Sequence, residues 1–341
     1  MFPNVKIQSI FILLFTLLFT AGSFPSSHGS PKGCINKAVE YAVEGKFKLA
    51  KKEFSKLKTE NKFPLAGLSL NILNDAISGR LKKETVIHIF KGIDFSYKGK
   101  WEKAIDEFNQ AITINRDYAP LYYIHANAYV AKHKYRQAIS DYTEAIRINP
   151  LYAEAYFNRA NVYFIIGKYK QAIFDYTKYI RINPADAQAY NNRGVVYFFM
   201  GRFSKAISDF SRAIELSPYQ SQFYNNRANA YVAKHKYKQA LSDYTEAIKI
   251  NPLYAEAYFN RANVYSAMGK YKEAVSDYSQ AIKINPANVI FYFNRAIVYE
   301  KVKDMKMAKE DFCYFVKHAS SHQNSLIKYA KGRIRAIGNA R

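Results

Sequence analysis

The 341-residue chain carries 51 Lys and Arg against 27 Asp and Glu, a formal charge of +24, together with 30 Tyr and 24 Phe. A hydrophobic fraction of 49% excludes a disordered polyelectrolyte, two cysteines exclude a disulfide scaffold or a four-thiolate zinc site, and 14 Gly with 10 Pro exclude collagen-like and low-complexity chains. Positive charge joined to many rings raises nucleic acid as a first candidate ligand, because cations neutralise phosphates and rings stack on bases.

Residues 1–23 hold one charge, Lys6, then the apolar run from Ile10 to Phe19 and the small residues Ala21, Gly22 and Ser23. A positive start, an apolar stretch too short for the roughly 20 residues of a spanning helix, and a small-residue site predict a signal peptide. The expected location is therefore exported, periplasmic or extracellular, with membrane tethering if the segment is retained. Cys34 follows Pro31-Lys32-Gly33 and so has no lipobox before it. Residues 24–30 read as a flexible lead-in.

Beyond the lead-in the chain repeats. Pro150, Pro184, Pro218, Pro252 and Pro286 stand 34 residues apart. In frames counted from Ala119, place 4 is Tyr from Tyr122 to Tyr292, and place 8 is small from Gly92 to Ala296. Place 11 is aromatic, place 20 is Ala from Ala104 to Ala308, and place 24 is Phe or Tyr. A first frame covers 31–64, the apolar stretch 65–84 is an out-of-phase helical insert, and seven frames fill 85–322, the last one weaker. Residues 323–341, with Leu326, Ile327, Ala330, Ile334 and Ile337, predict a terminal capping helix. Places 4, 8 and 11, then 20, 24 and 27, follow helical spacing, so each frame predicts two antiparallel helices with a buried stripe apiece. Gly99, Gly167, Gly201 and Gly269 sit between them, where a left-handed residue ends the first helix; His133, His235 and Lys303 replace that Gly. The stretches 126–163 and 228–265 differ at only three positions and lie 102 residues, or three frames, apart.

This pattern resembles the tetratricopeptide repeat (TPR) family, with Tyr at that family's Trp position. The resemblance implies an all-α, right-handed superhelical solenoid of stacked 34-residue helix-turn-helix repeats, closed by a C-terminal capping helix. It also implies a concave groove lined by the first helices. The residues there include asparagines at place 6 (Asn158, Asn192, Asn226, Asn260, Asn294) and place 9 (Asn127, Asn161, Asn229, Asn263), with Phe157, Phe259 and Phe293 at place 5. An amide can pair with both groups of an extended backbone, so these residues are candidates for gripping polypeptide segments; the competing reading is that they bond within the fold.

Arg159, Arg193, Arg227, Arg261 and Arg295 at place 7, with Asp175 to Asp311 at place 23, predict a ladder of structural ion pairs. Most tyrosines fall at repeat positions and read as packing, which removes the main argument for nucleic acid. Lys132, Lys134, Lys168, Lys170, Lys234, Lys236, Lys270 and Lys272 flank the turns within hairpins and predict a basic ridge. The ridge offers a second reading, attraction to an anionic polymer or membrane surface. No phosphate loop, zinc-protease, serine-hydrolase or haem motif occurs, so no catalytic residue, metal or cofactor is expected, and the expected partners are other proteins with extended or acidic segments. Cys34 and Cys313 lie in the first and last frames, too far apart to bridge.

Overall fold

A computed structural model describes residues 32–59 and 65–339. The expected signal segment and lead-in lie outside them. The described residues form eighteen α-helices and one 3-10 turn, with no strand, and divide into two compact units that part after Pro184.

The first unit holds α1 (Lys32–Val43), α2 (Phe47–Thr59), α3 (Ala66–Ile77), α4 (Lys83–Tyr97), α5 (Trp101–Ile114), α6 (Ala119–Ala131), α7 (Tyr135–Ile148), α8 (Ala153–Ile165) and α9 (Tyr169–Ile182). Each hairpin packs its two helices together, and the second helix of one hairpin packs on the first helix of the next. The insert helix α3 lies against α2, yet α1 still touches α4, so the first helices stack past the insertion. Asp75 at the end of α3 accepts a hydrogen bond from Tyr118 at 2.9 Å and an ion pair from Arg80 at 3.1 Å, which ties the insert to the turn before α6.

The second unit holds α10 (Ala187–Phe199), α11 (Phe203–Leu216), α12 (Ser221–Ala233), α13 (Tyr237–Ile250), α14 (Ala255–Ala267), α15 (Tyr271–Ile284), α16 (Val289–Lys301), α17 (Met305–His318), the 3-10 turn Ser321–Gln323 and α18 (Asn324–Asn339). Here α18 packs on α17 and buries Ala330 among Phe312, Phe315 and Ile334.

The boundaries have local causes. Gly99, Gly167, Gly201 and Gly269 have φ between 69° and 75°, and His133, His235 and Lys303 adopt the same left-handed region at 56° to 62°. The second helix ends where Asn149 and Asn251, extended at φ −129°, precede a proline that disfavours helical backbone in its predecessor.

The buried stripe is wider than the spacing alone predicts. Places 3 and 10 on the first helices are buried as well as place 8, from Leu121 and Ala128 to Phe291 and Val298, because each first helix contacts its own partner and a neighbouring hairpin. Place 8 is small because the ring at place 24 lies directly over it: a Cβ on Gly92 would stand 2.3 Å from Phe108, and one on Gly194 2.8 Å from Phe210. Ala at place 20 is fully buried too but is not the nearest neighbour of either glycine.

Candidate functional site

Five arginines close the same clamp. Arg159, Arg193, Arg227, Arg261 and Arg295 each make two hydrogen bonds of 2.7–2.8 Å to Asp175, Asp209, Asp243, Asp277 and Asp311, sixteen residues ahead in the same hairpin. Place 7 lies three residues after place 4 and four before place 11, so the Tyr side chains at those places flank the guanidinium on the helix surface. Tyr224 and Tyr231 stand 5.8 Å and 6.0 Å from Arg227, and the other four arginines are sandwiched alike. The remaining donor of Arg159, Arg227, Arg261 and Arg295 reaches a hydroxyl of the preceding hairpin, from Thr143, Ser211, Thr245 and Ser279. Burial would lower the Arg227 guanidinium, but its bonds to Asp243 and that charge hold it above its usual value. These arginines are committed to the fold, as their pairing with place 23 predicts.

The frame 119–152 departs from this rule. His125 replaces Arg, and its Nδ1 lies 2.9 Å from Asp141 without the alignment of a hydrogen bond, so both ring nitrogens and Asp141 Oδ2 are buried and unpaired.

The asparagines at place 9 are also structural. Tyr142 donates to Asn127 Oδ1 at 2.5 Å, Tyr244 to Asn229 and Tyr278 to Asn263 at 2.6 Å, and Tyr176 donates to Asn161. Burial pushes the Tyr142 phenol well above its ordinary value, which keeps it a proton donor. The chain contains a signal for this pairing: Tyr stands at place 24 wherever Asn stands at place 9, whereas Ile93, Val195 and Ile297 go with Phe108, Phe210 and Phe312. The carbonyl oxygens of Asn127, Asn161, Asn229 and Asn263 are therefore spent on rungs inside the hairpins.

Place 5 also differs from expectation. Phe157 is buried against Tyr176 and Tyr179, and Phe293 against Phe312 and Phe315, so neither lines an open pocket. Phe259 is half-buried between Tyr278 and Phe291.

Place 6 reaches back one frame. Asn158 donates to Tyr123 Oη at 3.0 Å and to Asn127 at 3.3 Å in the first unit. Burial pushes Tyr123 up to about 12, while its bonds to Asn127 and Asn158 hold it back. In the first two hairpins of the second unit the place 5 residues are Asn191 and Asn225 instead of aromatic rings, and amide-to-amide bonds form. Asn226 donates to Asn191 at 2.9 Å and Asn260 to Asn225 at 3.2 Å; Asn192 accepts from Gln188 at 2.7 Å and from Asn191 at 3.3 Å. Asn294 donates to Asn263 at 3.3 Å. After these bonds Asn192 and Asn225 each keep an NH2 group without a protein partner, and Asn226 and Asn260 each keep a carbonyl oxygen. Unspent donors on α10 and α12 and unspent acceptors on α12 and α14 therefore remain, at Asn192, Asn225 and Asn226, which are buried, and at Asn260, which is half-buried. Asn191 and Asn225 were absent from the sequence-based candidates because an Asn-Asn pair at places 5 and 6 looks like one more copy of the recurring Asn-Arg text.

The turn lysines are displayed at hairpin tips but are not all free. Lys132 pairs with Glu102 at 2.6 Å, Lys134 lies 6.0 Å over the Tyr129 ring, and Lys234 donates to Ser204 at 2.6 Å. Lys168, Lys170, Lys236, Lys270 and Lys272 are exposed. Cys313 is exposed and unbridged. Among the described residues no three His, Cys, Asp or Glu side chains gather to hold a metal, and no helix is long and apolar enough to cross a membrane.

Comparison with known proteins agrees with this architecture. Residues 153–186, 187–220 and 255–288 match the model described as tetratricopeptide repeat, and 126–165 and 228–269 match the model described as TPR repeat. The fold is similar to a tetratricopeptide repeat protein from Parabacteroides merdae, at 21% identity and a TM-score of 0.60, over 73% of this chain and 100% of that one. It is also similar to Pseudomonas aeruginosa PilF, at 16% identity and a TM-score of 0.52, over 65% of this chain and 97% of that one. A weaker likeness, with a TM-score of 0.47 at 23% identity over 54% of this chain and 95% of that one, is to YrrB, described as a TPR protein with an unusual peptide-binding site. No curated protein matches the sequence significantly.

Proposed function

The repeats of this chain belong to the tetratricopeptide repeat family, and from that premise we propose that the protein is a non-enzymatic scaffold that binds extended polypeptide segments on the first-helix face of its second unit. The observation that carries this reading is the set of unspent NH2 groups at Asn192 and Asn225 and unspent carbonyl oxygens at Asn226 and Asn260. An extended backbone offers both acceptors and donors, so it can pair with these groups without regard to side chains. Each such bond contributes about 0.5–1.5 kcal/mol net, so selectivity has to come from the partner's side chains against Phe259 and its neighbours. With residues 1–23 acting as an export signal, the partner is met outside the cytoplasm.

The test is a panel of unstructured peptides selected on the full chain, with affinity then measured for Asn192→Ala/Asn226→Ala and for the gentler Asn260→Ala. A drop of about tenfold for the double change, with binding insensitive to salt, supports the amide row. Equal affinities in a folded variant refute it. Binding that instead collapses as salt rises, and falls when Lys168, Lys170, Lys270 and Lys272 become Gln, would favour the second reading, an anionic polymer held by the exposed tips.

A further inference from the structure

The strongest unassigned surface is the outward face of α2. Lys48, Lys51, Lys52 and Lys56 line one shallow depression there with Ser55 and Thr59, opposite the face that buries Ala50, Phe54 and Leu57. Glu53 is the helix's only acid and is engaged by Lys56 at 3.2 Å. Lys48, Lys52 and Lys56 follow one another at a spacing of four residues, which places like charges side by side along the helix. That standing repulsion disfavours the helix unless an anion relieves it. By contrast α5 and α7 interleave acidic and basic residues.

The chemistry of the face selects among anionic partners. Its cations are lysines, compact point charges on flexible stems, with no arginine fork, amide or ring to read a base edge or stack on one. Beside them Leu49 is 47% exposed, an apolar residue with no cover. The chain outside the described residues adds a second argument. The apolar run ends at Phe19, and the twelve residues before Lys32 can span at most about 40 Å when extended. The first hairpin is therefore the part of the array that stays within reach of any bilayer this run enters.

We propose that the outward face of α2 docks the first unit on an anionic phospholipid bilayer, with its lysines on headgroup phosphates and Leu49 entering the interface. One basic helix face gives reversible attachment, which becomes firm only with a second signal. The proposal is independent of the amide row in the second unit.

Vesicles of phosphatidylcholine, with or without about one third phosphatidylglycerol, test it by co-sedimentation of the full chain. The chain is expected to prefer anionic vesicles by on the order of a hundredfold at about 50 mM salt, and to lose most of that preference at about 300 mM. Lys48→Gln/Lys51→Gln/Lys52→Gln/Lys56→Gln should reduce the preference to a few-fold, whereas Arg at the same four positions should keep it. The same four-Gln treatment of Lys168, Lys170, Lys270 and Lys272 should also keep it. A preference that survives in the α2 Gln variant, or vanishes in the tip variant, overturns the proposal. So does tighter binding to a DNA duplex than to anionic vesicles at equal salt.

Discussion

The stretches 126–163 and 228–265 are nearly one text, yet their asparagines are not equally accessible. Asn127, Asn158 and Asn161 are buried in the first unit, whereas Asn229, Asn260 and Asn263 are only half-buried in the second. The cause lies in the residues around the copies. Tyr123 sits ahead of the first copy and takes the Asn158 NH2 on its hydroxyl, while the smaller Asn225 holds that place ahead of the second and takes the Asn260 NH2 on its carbonyl. Behind the copies, Tyr179 packs on Phe157 where Ala281 occupies the equivalent place in the second unit. Identical sequence thus presents three buried asparagines in one unit and three half-buried ones in the other, and the neighbouring frame decides which.

The largest expected break in the comparison is at place 7. Arg227→Leu strands the buried Asp243 and should cost about 3–5 kcal/mol, read as a lower urea midpoint. His125→Leu removes a side chain whose ring nitrogens have no partner and should cost clearly less. Equal losses would show that the clamp is not what separates the two copies.

Next come the rungs. Tyr142→Phe leaves the buried Asn127 carbonyl with only the 3.3 Å bond from Asn158 and should cost about 1–2 kcal/mol, while Tyr244→Phe should cost roughly half as much because water can reach Asn229. The same midpoint measurement checks both.

The exchange at place 5 sharpens the comparison where function is proposed. Asn225→Tyr should cover Asn260 and lower peptide affinity by about fivefold to tenfold, with stability changed by no more than about 1 kcal/mol. Tyr123→Asn should expose Asn158 in the first unit. Titration of both variants with a selected peptide tests the pair, and unchanged affinity in Asn225→Tyr would count against the amide row.

The smallest effect belongs to the tips, where the copies agree. His133 and His235 share a left-handed backbone and a contact to Tyr135 and Tyr237 at 2.9 Å and 3.3 Å. Relief of strain in His133→Gly or His235→Gly is offset by the greater freedom of Gly in the unfolded chain, so each should shift stability by less than about 0.5 kcal/mol. A difference between the two would reveal an influence of the surroundings that the tip geometry does not show.

Much of this architecture is legible in the sequence. Seven-fold repetition exposes the period, and Pro after Asn or a left-handed Gly marks helix ends through local backbone sterics. The Arg–Asp pairing was legible because both charges recur at fixed places. The bonding of individual amides was not, since Asn serves a ligand, a tyrosine or another Asn equally well; only its joint occurrence with Tyr at place 24 separates the rungs. Place 5 was the least legible. Whether place 5 is buried, as at Phe157 and Asn191, or half-buried, as at Phe259, depends on what the adjacent hairpin supplies, and no spacing within one frame contains that information.

The clamps and rungs have a consequence for how such a chain can grow. Every Arg–Asp clamp at places 7 and 23 and every Tyr–Asn rung at places 24 and 9 closes inside a single hairpin, while the buried links between hairpins are amides and guanidinium bonds to hydroxyls, and an ion pair between hairpins such as Lys132 with Glu102 lies at the surface. A block cut at hairpin boundaries takes its buried charges with it and orphans none. Copying three hairpins at once is therefore a mild genetic event for this protein, and the array can lengthen by whole units, with each new copy taking its accessibility from the neighbours it happens to acquire.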